Sequence, residues 1–221
     1  MSRNQEDPTA EKRKSDHIEL AFESQVALQT IDNRFYYEPL LAGHPIEANT
    51  SFTFLGKEFK VPFWVSSMTG GTKYAGIINK NLAKACKEFG FGMGLGSCRA
   101  LLYSDDYLED FNVRKWIGDN ALYANLGIAQ IEQLITNNKV HLINKLIVKL
   151  QADGLIIHIN PMQEWLQPEG DRIEKPPLDT IRRLIDSTDI KIIVKEVGQG
   201  MGYKSLEALF QLPIEAVDFA A

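Results

Sequence analysis

The sequence predicts an α/β fold in which parallel strands alternate with helices, as in a TIM (β/α)8 barrel. Near-continuous apolar runs, typical of strands buried on both faces, alternate with amphipathic segments. The alternative is an open doubly wound sheet, but the sequence lacks the early Gly-x-Gly-x-x-Gly turn that is typical of its dinucleotide-binding form. Six such runs, against about eight in a closed barrel, predict that the C-terminal third of the barrel is missing from this chain. The runs lie at residues 61–66, 92–95, 121–126, 154–159, 191–195 and 216–220.

Composition argues against several classes of protein. The chain has 221 residues, with 24 basic and 29 acidic side chains and a net charge of −5, so it lacks the cationic surface of a general nucleic-acid binder. Cys86 and Cys98 have no metal-ligand spacing, and two cysteines predict a reducing compartment rather than a disulfide framework. No apolar signal segment or bilayer-length apolar run is visible. We therefore expect a cytoplasmic protein with no membrane and no nucleic-acid partner.

The first residues differ in composition from the rest of the chain. Residues 1–17 are rich in charge and poor in large apolar side chains, which predicts a mobile arm that carries the cations Arg13 and Lys14. Residues 18–221 then form the barrel domain, incomplete at its C-terminus. The elements predicted before the first apolar run are a helix from Ile18 to about Ile31 and a hairpin over Ser51–Phe59 that turns at Gly56-Lys57.

Polar residues follow the first three strands, and the active site of a parallel barrel lies at these carboxyl ends. After the first strand, glycines 70–71 would let a planar or phosphorylated ligand approach the backbone, although a turn capped by Thr72 explains the same residues. After the second, Ser97 and Arg99 suit phosphate oxygens, with a surface ion pair as the alternative for the arginine. Asn125, after the third, would bond a ring carbonyl or cap the next helix.

The fourth and fifth strands end in the sharpest candidates. Strand alternation places His158 and Asn160 on one face, towards the barrel axis, with the carboxylate of Glu164 nearby. Burying such a histidine is costly unless it is used, or unless it is a hydrogen-bonded core residue. Lys195 follows the apolar residues 192–194, where a lysine serves as a Schiff-base nucleophile or as a fixed charge beside an anionic cofactor, with a snorkelling edge lysine as the alternative.

Seven short motifs occur in a fixed order along the chain. They are RKSDH at 13–17, MTGG at 68–71, GSCR at 96–99, ANLG at 124–127, HINPMQE at 158–164, QPEGD at 167–171 and VKEVG at 194–198. Each motif is weak alone, but in this order they resemble the type 2 isopentenyl diphosphate isomerases, a family of flavin-dependent barrels. That family usually has Gln where Cys98 stands, and its chain continues past Ala221.

The resemblance implies a reaction and its cofactors. The reaction moves the double bond of isopentenyl diphosphate to give dimethylallyl diphosphate, by acid-base chemistry with reduced FMN and without net redox change. The implied cofactors are FMN, Mg²⁺ and NADPH or a similar reductant. The family also implies a role in isoprenoid biosynthesis and a homo-oligomer, a tetramer or an octamer.

The resemblance also implies roles for individual residues. FMN would be bound by Met68, Thr69, Gly70, Ser97, Asn125 and Lys195, the substrate by Arg13, Lys14, Arg99, His158, Asn160 and Gln163, and magnesium by Glu164. The catalytic residues would be Gln163, lying against the reacting carbons, Lys195 and His158. Lys195 fits its role because an ammonium near the flavin ring stabilises the anionic reduced form. Two cations on a mobile arm would close over the substrate and exclude water.

Two other readings of the sequence remain open at this stage. One is an FMN-dependent 2-hydroxy acid oxidoreductase, which shares the barrel and the cofactor but needs neither a diphosphate clamp nor magnesium. The other is a truncated, non-catalytic barrel that keeps the fold and has lost the site. Retention of the expected polar residues apart from position 98 argues against the second reading.

Overall fold

The computed structural model describes residues 10–23, 38, 40, 41, 43, 50–67 and 69–219. The chain divides into two compact units, residues 1–48 and 49–221. Helix α1 of the first unit spans Ala10–Glu23 and includes part of the predicted arm. It begins at Ala10 rather than at Ile18 because the stretch AEKRK consists of strong helix formers. The rest of the predicted helix, residues 24–31, lies outside the described residues.

The second unit alternates strands and helices along the chain. Its strands are β1 (Phe52–Phe54), β2 (Lys57–Phe59), β3 (Trp64–Val65), β4 (Gly92–Gly94), β5 (Leu122–Gly127), β6 (Gly154–Ile159), β7 (Ile192–Glu196) and β8 (Ala216–Asp218). Its helices are α2 (Lys73–Phe89), α3 (Leu108–Phe111), α4 (Arg114–Ile117), α5 (Ile128–Thr136), α6 (His141–Leu150), α7 (Pro161–Leu166), α8 (Pro177–Ile185) and α9 (Tyr203–Leu209), with a 3-10 turn at Arg99–Leu102. No described helix has both the length and the apolar character of a membrane span.

Strands β3 to β8 form one parallel sheet, in which each strand lies beside the next along the chain. All six predicted strands are present, and the predicted α/β fold of TIM-barrel type is confirmed. The first strand is shorter than residues 61–66, because Pro62 has no N–H group for a sheet ladder. Helix α2, predicted to follow it, is capped by Thr72, whose hydroxyl accepts from Ala75 N at 3.1 Å.

The described sheet is strongly curled. Ser66, just after β3, donates from its hydroxyl to Asp218 Oδ2 of β8 at 2.8 Å. In a flat six-stranded sheet these two edges would lie about 24 Å apart. The sheet therefore bends so far that a side chain just after its first strand contacts one of its last strand.

Two apolar clusters enclose the sheet. The larger fills the space between the sheet and its helices, and the smaller lies inside the curl, where Phe59 of the hairpin packs with Tyr123, Ile156 and Ile193. The hairpin turns at Leu55-Gly56, one residue before the predicted position. Both turn residues have positive φ, 56° and 73°, as tight two-residue hairpins require. The hairpin fills the amino end of the curl, which leaves the carboxyl end for a site.

The loops after β3 and β4 touch through their backbones. A Cβ on Gly96 would lie 2.3 Å from the carbonyl oxygen of Thr69, and 2.4 and 2.6 Å from the backbone C and N atoms of that residue. Backbone atoms cannot give way as a flexible side chain can, so glycine is required here for packing.

We predict that Gly96→Ala lowers the free energy of unfolding by about 1–3 kcal/mol. The control is Gly202→Ala, because a Cβ there meets nothing within 4 Å and the backbone lies at φ −69°. Urea denaturation of both variants measures the difference. Equal stability of the two variants would show that the loops are not in tight contact.

Candidate active site

A row of polar side chains crosses the interior at the carboxyl ends of β5, β6 and β7. It consists of Asn125, His158 and Lys195, and the register places His158 directly beside Lys195. Asn125 donates from Nδ2 to Ser67 Oγ at 2.8 Å, and its Oδ1 lies 2.6 Å from His158 Nδ1. The loop after β3 is thereby joined to the same row.

His158 is held in one tautomer as a neutral ring. Since Asn125 Nδ2 is the donor to Ser67, its Oδ1 is the acceptor, and Nδ1 of His158 carries the proton. Burial lowers the pKa of His158; the Glu164 carboxylate opposes this effect, and the Lys195 ammonium adds to it. The Nε2 atom therefore presents a lone pair to the site. The amide in contact with His158 is that of Asn125 on the neighbouring strand, rather than that of Asn160.

Lys195 is a buried ammonium, with 8% of the residue exposed. Its Nζ donates to the carbonyl oxygen of Glu196 at 2.7 Å, and Asp218 Oδ2 lies 3.8 Å away. The carboxylate of Glu196 accepts from the backbone N–H groups of residues 198–200 at 2.6, 2.8 and 3.0 Å, which ties down the loop after β7. The alternative of a snorkelling surface lysine does not fit this burial.

A second polar cluster lies where β6 runs into α7. Asn160, only 5% exposed, donates from Nδ2 to Gln163 Oε1 at 3.2 Å and to Glu164 Oε1 at 3.0 Å. Its own Oδ1 is buried and has no hydrogen-bond partner among the described atoms. Such an acceptor is costly to leave unpaired, so it points to a donor that the described residues do not supply.

Arg99 and Asp171 lie between this cluster and β5. Arg99 Nη1 pairs with Asp171 Oδ2 at 2.6 Å, and the amide nitrogens of Gln130 and Gln133 donate to the same carboxylate at 2.9 and 3.3 Å. The backbone N of Asp171 donates to Glu164 Oε2 at 2.7 Å. The predicted alternative of an ion pair at Arg99 is therefore present, and the arginine still lies beside the polar cluster.

The other predicted flavin contacts lie on loops or outside the described residues. Ser97 is exposed on the loop after β4, and Thr69 lies on the adjoining loop. A Cβ on Gly70 would lie 2.1 Å from the ring of Phe111, so packing alone explains that glycine. Met68 lies outside the described residues. Arg13 and Lys14 belong to α1 of the first unit, and their side chains are outside the description.

Cys98, where the family usually has Gln, belongs to the core. Its residue is 0% exposed, its Sγ lies 3.3 Å from the Gly96 carbonyl oxygen, and it packs in the cluster between sheet and helices. Burial raises the pKa of its thiol to about 12. The Cys98 side chain is therefore part of the core packing and not of the interior row of polar groups.

The donors present fit a flavin and a magnesium ion. Lys195 offers a buried ammonium that has one carbonyl acceptor and a carboxylate beyond 3.5 Å, which suits an anionic group. No cluster of three or more His, Cys, Asp or Glu able to hold a metal occurs within the described ranges. Magnesium nevertheless binds through one or two carboxylates together with water and substrate phosphates, and Glu164 supplies one such carboxylate.

Several residues of the site had no role in the sequence analysis. Asp171 stood within the quoted motif QPEGD without an assigned function, and Ser67, Gln130 and Asp218 were given no role. Asp218 follows the apolar pair Ala216-Val217, so the rule that found Lys195 would have found it too. Gln130 carried no such signal, because it lies inside a helix and reaches Asp171 only through the fold.

We predict that His158 makes stability depend on pH on the acid side of neutrality. In the unfolded chain the His158 ring takes up a proton near pH 6.5, whereas in the folded chain it does so only at lower pH. The free energy of unfolding should therefore fall as the pH drops below about 6.5. Urea midpoints between pH 7.5 and 5 should show this fall weakened in His158→Gln. The control His141→Gln removes an exposed histidine at the start of α6. Parallel profiles for wild type and His158→Gln would contradict the assignment.

Comparison with curated proteins finds relatives of one name, whereas comparison with family models finds none. No family model matches the chain. It is 38% identical over 214 residues to the isopentenyl-diphosphate delta-isomerase of Rickettsia felis, covering 95% of this chain and 61% of that protein. It is 39% identical over 217 residues to the protein of the same name from Chlorobium chlorochromatii, with 95% and 59% covered.

Comparison with solved structures supports the fold. A mandelate oxidase complex matches with a TM-score of 0.51 at 11% identity over 82% of this chain and 54% of that chain. A flavocytochrome b2 variant with bound sulfite matches with a TM-score of 0.51 at 19% identity, covering 79% and 45%. At such identities the likeness concerns the fold alone.

The two comparisons differ in what they support. The structural matches support the curled parallel barrel, and the sequence matches extend over 95% of the chain. The chain spans about three fifths of the length of the curated relatives that it matches. Over that part, its sequence is similar to proteins named isopentenyl-diphosphate delta-isomerase, at 37–39% identity.

Proposed function

We propose that this protein converts isopentenyl diphosphate to dimethylallyl diphosphate with the help of reduced FMN. The observation that carries the proposal is the interior row of Asn125, His158 and Lys195 on three neighbouring strand ends. It occurs in a chain that is 37–39% identical to proteins named for this reaction. Because those relatives are longer than this chain, the activity is proposed for the whole protein.

FMN is the cofactor that the site would take. One matched structure, with a TM-score of 0.50, is a mandelate oxidase variant with a monooxide FMN adduct. Bound reduced FMN would supply proton transfer at the carbons of the double bond. The residues proposed to hold it are Met68, Thr69, Gly70, Ser97, Asn125 and Lys195. The ammonium of Lys195 would stabilise an anionic ring, since its low-dielectric surroundings strengthen the attraction.

The diphosphate end of the substrate would lie at the second polar cluster. Arg99 offers a forked guanidinium, and Asn160 lies at the end of β6. A diphosphate would also favour protonation of His158 Nε2, because its negative charge would oppose the burial and the Lys195 ammonium, which both lower the pKa of this ring. Arg13 and Lys14 are proposed to add two cations to the same group. Glu164 would be the carboxylate ligand of magnesium, which would supply positive charge at the phosphate end of the substrate.

Gln163 would lie against the reacting carbons. It is exposed on α7, and its Oε1 is held by Asn160 Nδ2 at 3.2 Å, so the amide is oriented from one side and open on the other. An amide fixed in this way can accept or donate a hydrogen bond without carrying charge, which suits an apolar substrate tail. We propose Gln163, Lys195 and His158 as the catalytic residues.

The remaining parts of the proposal concern the whole protein. They are NADPH as reductant, a cytoplasmic location, a tetramer or octamer, an N-terminal arm at residues 1–17 that closes over substrate, and further barrel strands that follow residue 221. Each rests on the family resemblance. The six described parallel strands support only the barrel type.

The experiment that tests the proposed function is an anaerobic conversion assay. The protein is incubated with FMN, NADPH, Mg²⁺ and isopentenyl diphosphate, and proton NMR detects dimethylallyl diphosphate. We expect a product signal that disappears when FMN is omitted. Oxidation of lactate or mandelate without conversion of the diphosphate would support the 2-hydroxy acid oxidoreductase instead. Absence of both flavin binding and diphosphate binding would support a non-catalytic barrel.

We predict that Lys195→Met lowers kcat by about a hundredfold or more, because an ammonium aimed at developing charge is worth this much in a buried site. The matched control is Lys191→Met, which removes the exposed lysine just before the same strand. NMR rates at saturating substrate measure both. An equal loss in the two variants would show that Lys195 has no special role.

We also predict that Glu164→Gln raises the Mg²⁺ concentration needed for half-maximal activity by about tenfold, since a neutral amide is a weaker ligand for a hard cation. Glu169→Gln removes an exposed carboxylate a few residues away and should leave the titration unchanged. A magnesium titration of both variants decides the matter. Unaltered magnesium dependence in Glu164→Gln would contradict the role of that residue as ligand.

A further inference from the structure

Asp171 joins the carboxyl ends of three consecutive strands. Its carboxylate accepts from Arg99, which follows β4, at 2.6 Å, and from Gln130 at 2.9 Å. The Oε1 atom of Gln130 in turn accepts from Gly127 N, at the end of β5, at 3.0 Å. The backbone N of Asp171 donates to Glu164 in α7, just after β6, at 2.7 Å.

Coulomb's law alone makes this carboxylate unfavourable for the proposed substrate. A diphosphate bound at Arg99 and Glu164 would lie near a further negative charge, which weakens the attraction for an anion. The side chain is only 19% exposed, so water screens the repulsion incompletely. A residue that opposes its own ligand in this way needs a compensating effect.

The geometry of Arg99 supplies that effect. Its side chain is 55% exposed, and a long exposed side chain loses rotamer freedom when it binds a ligand. Asp171 contacts only Nη1 of the guanidinium, which leaves the other N–H donors for phosphate oxygens. The ion pair therefore holds the fork in place before a ligand arrives.

The loop that carries Asp171 is pressed against α7. A Cβ on Gly170 would lie 1.8 Å from the carbonyl oxygen of Glu164, so the two segments are in backbone contact. With its side chain held by Gln130 and Gln133, Asp171 presents its N–H to one oxygen of Glu164. The same anchor thus orients the carboxylate that we propose as the magnesium ligand.

We propose that Asp171 is a positioning residue for diphosphate binding, which acts by holding Arg99 and secondarily Glu164. The inference rests on the proposed function. It predicts that removing this negative charge weakens binding of a polyanion, whereas electrostatic repulsion alone predicts the opposite. The two explanations therefore differ in the sign of one measurable change.

The test is calorimetric titration with inorganic pyrophosphate and Mg²⁺. We expect Asp171→Asn to raise the dissociation constant about tenfold, the size typical of a lost charged hydrogen bond. The control Glu169→Gln removes a neighbouring charge that makes no hydrogen bond or ion pair with described residues, and it should bind equally well or more tightly. Unchanged or tighter binding by Asp171→Asn would overturn the proposal.

A double-mutant cycle with Arg99→Ala, measured without magnesium, tests whether Asp171 acts through Arg99. If Asp171 acts through Arg99, Asp171→Asn should add less than about a twofold loss in the Arg99→Ala background. A full tenfold loss in that background would show that Arg99 is not the route and would overturn the proposal.

Two further outcomes keep the test decisive. If circular dichroism shows that Asp171→Asn does not fold, Asp171→Glu takes its place: it keeps the charge, so weaker binding supports positioning and unchanged binding contradicts it. If the wild-type protein does not bind pyrophosphate, the proposed function and this inference fail together. Binding by wild type with no loss in either Asp171 variant overturns this inference alone.

Discussion

The register of β5, β6 and β7 is the constraint on which the rest of the site depends. Side chains alternate between the two faces of a strand, so Tyr123 and Asn125 share the interior face, as do Ile193 and Lys195. A slip of one residue would turn the polar groups into the apolar layer under the helices. The apolar residues of each strand thus set the register, and the register fixes the face on which the polar residues lie. Both faces of the sheet are buried, so a strand cannot turn one face into the place of the other.

Burying charge in such an interior limits what the site can hold. An ammonium removed from water costs several kcal/mol unless partners compensate it, and Lys195 has one carbonyl at 2.7 Å and a carboxylate at 3.8 Å. The neighbouring ring of His158 is kept neutral by burial and by that ammonium. A single cationic group thus lies at the centre of the row. Anionic ligands would be attracted to it and would raise the proton affinity of His158.

The two ends of the curl differ in chemistry because different segments line them. At the amino end, the hairpin residues Leu55 and Phe59 pack on Tyr123, Ile156 and Ile193, so that end is apolar and filled. At the carboxyl end, the loops carry hydroxyl, amide, carboxylate and guanidinium groups. The aromatic contacts of the hairpin therefore contribute indirectly to the site, since they leave the polar end as the side where a ligand can enter.

The sequence by itself determined the order of the strands, the helices between them and the polar residues at the strand ends, because apolar periodicity and strand alternation are local properties. It also placed Lys195 at the end of a buried strand, for the same reason. Only the tertiary structure decided which polar groups meet. Asn125 pairs with His158 because β5 lies beside β6, and Asp171 reaches Arg99 and Gln130 across 72 and 41 residues of chain. Contacts at such separations depend on sheet register and loop paths, which no short stretch of sequence encodes.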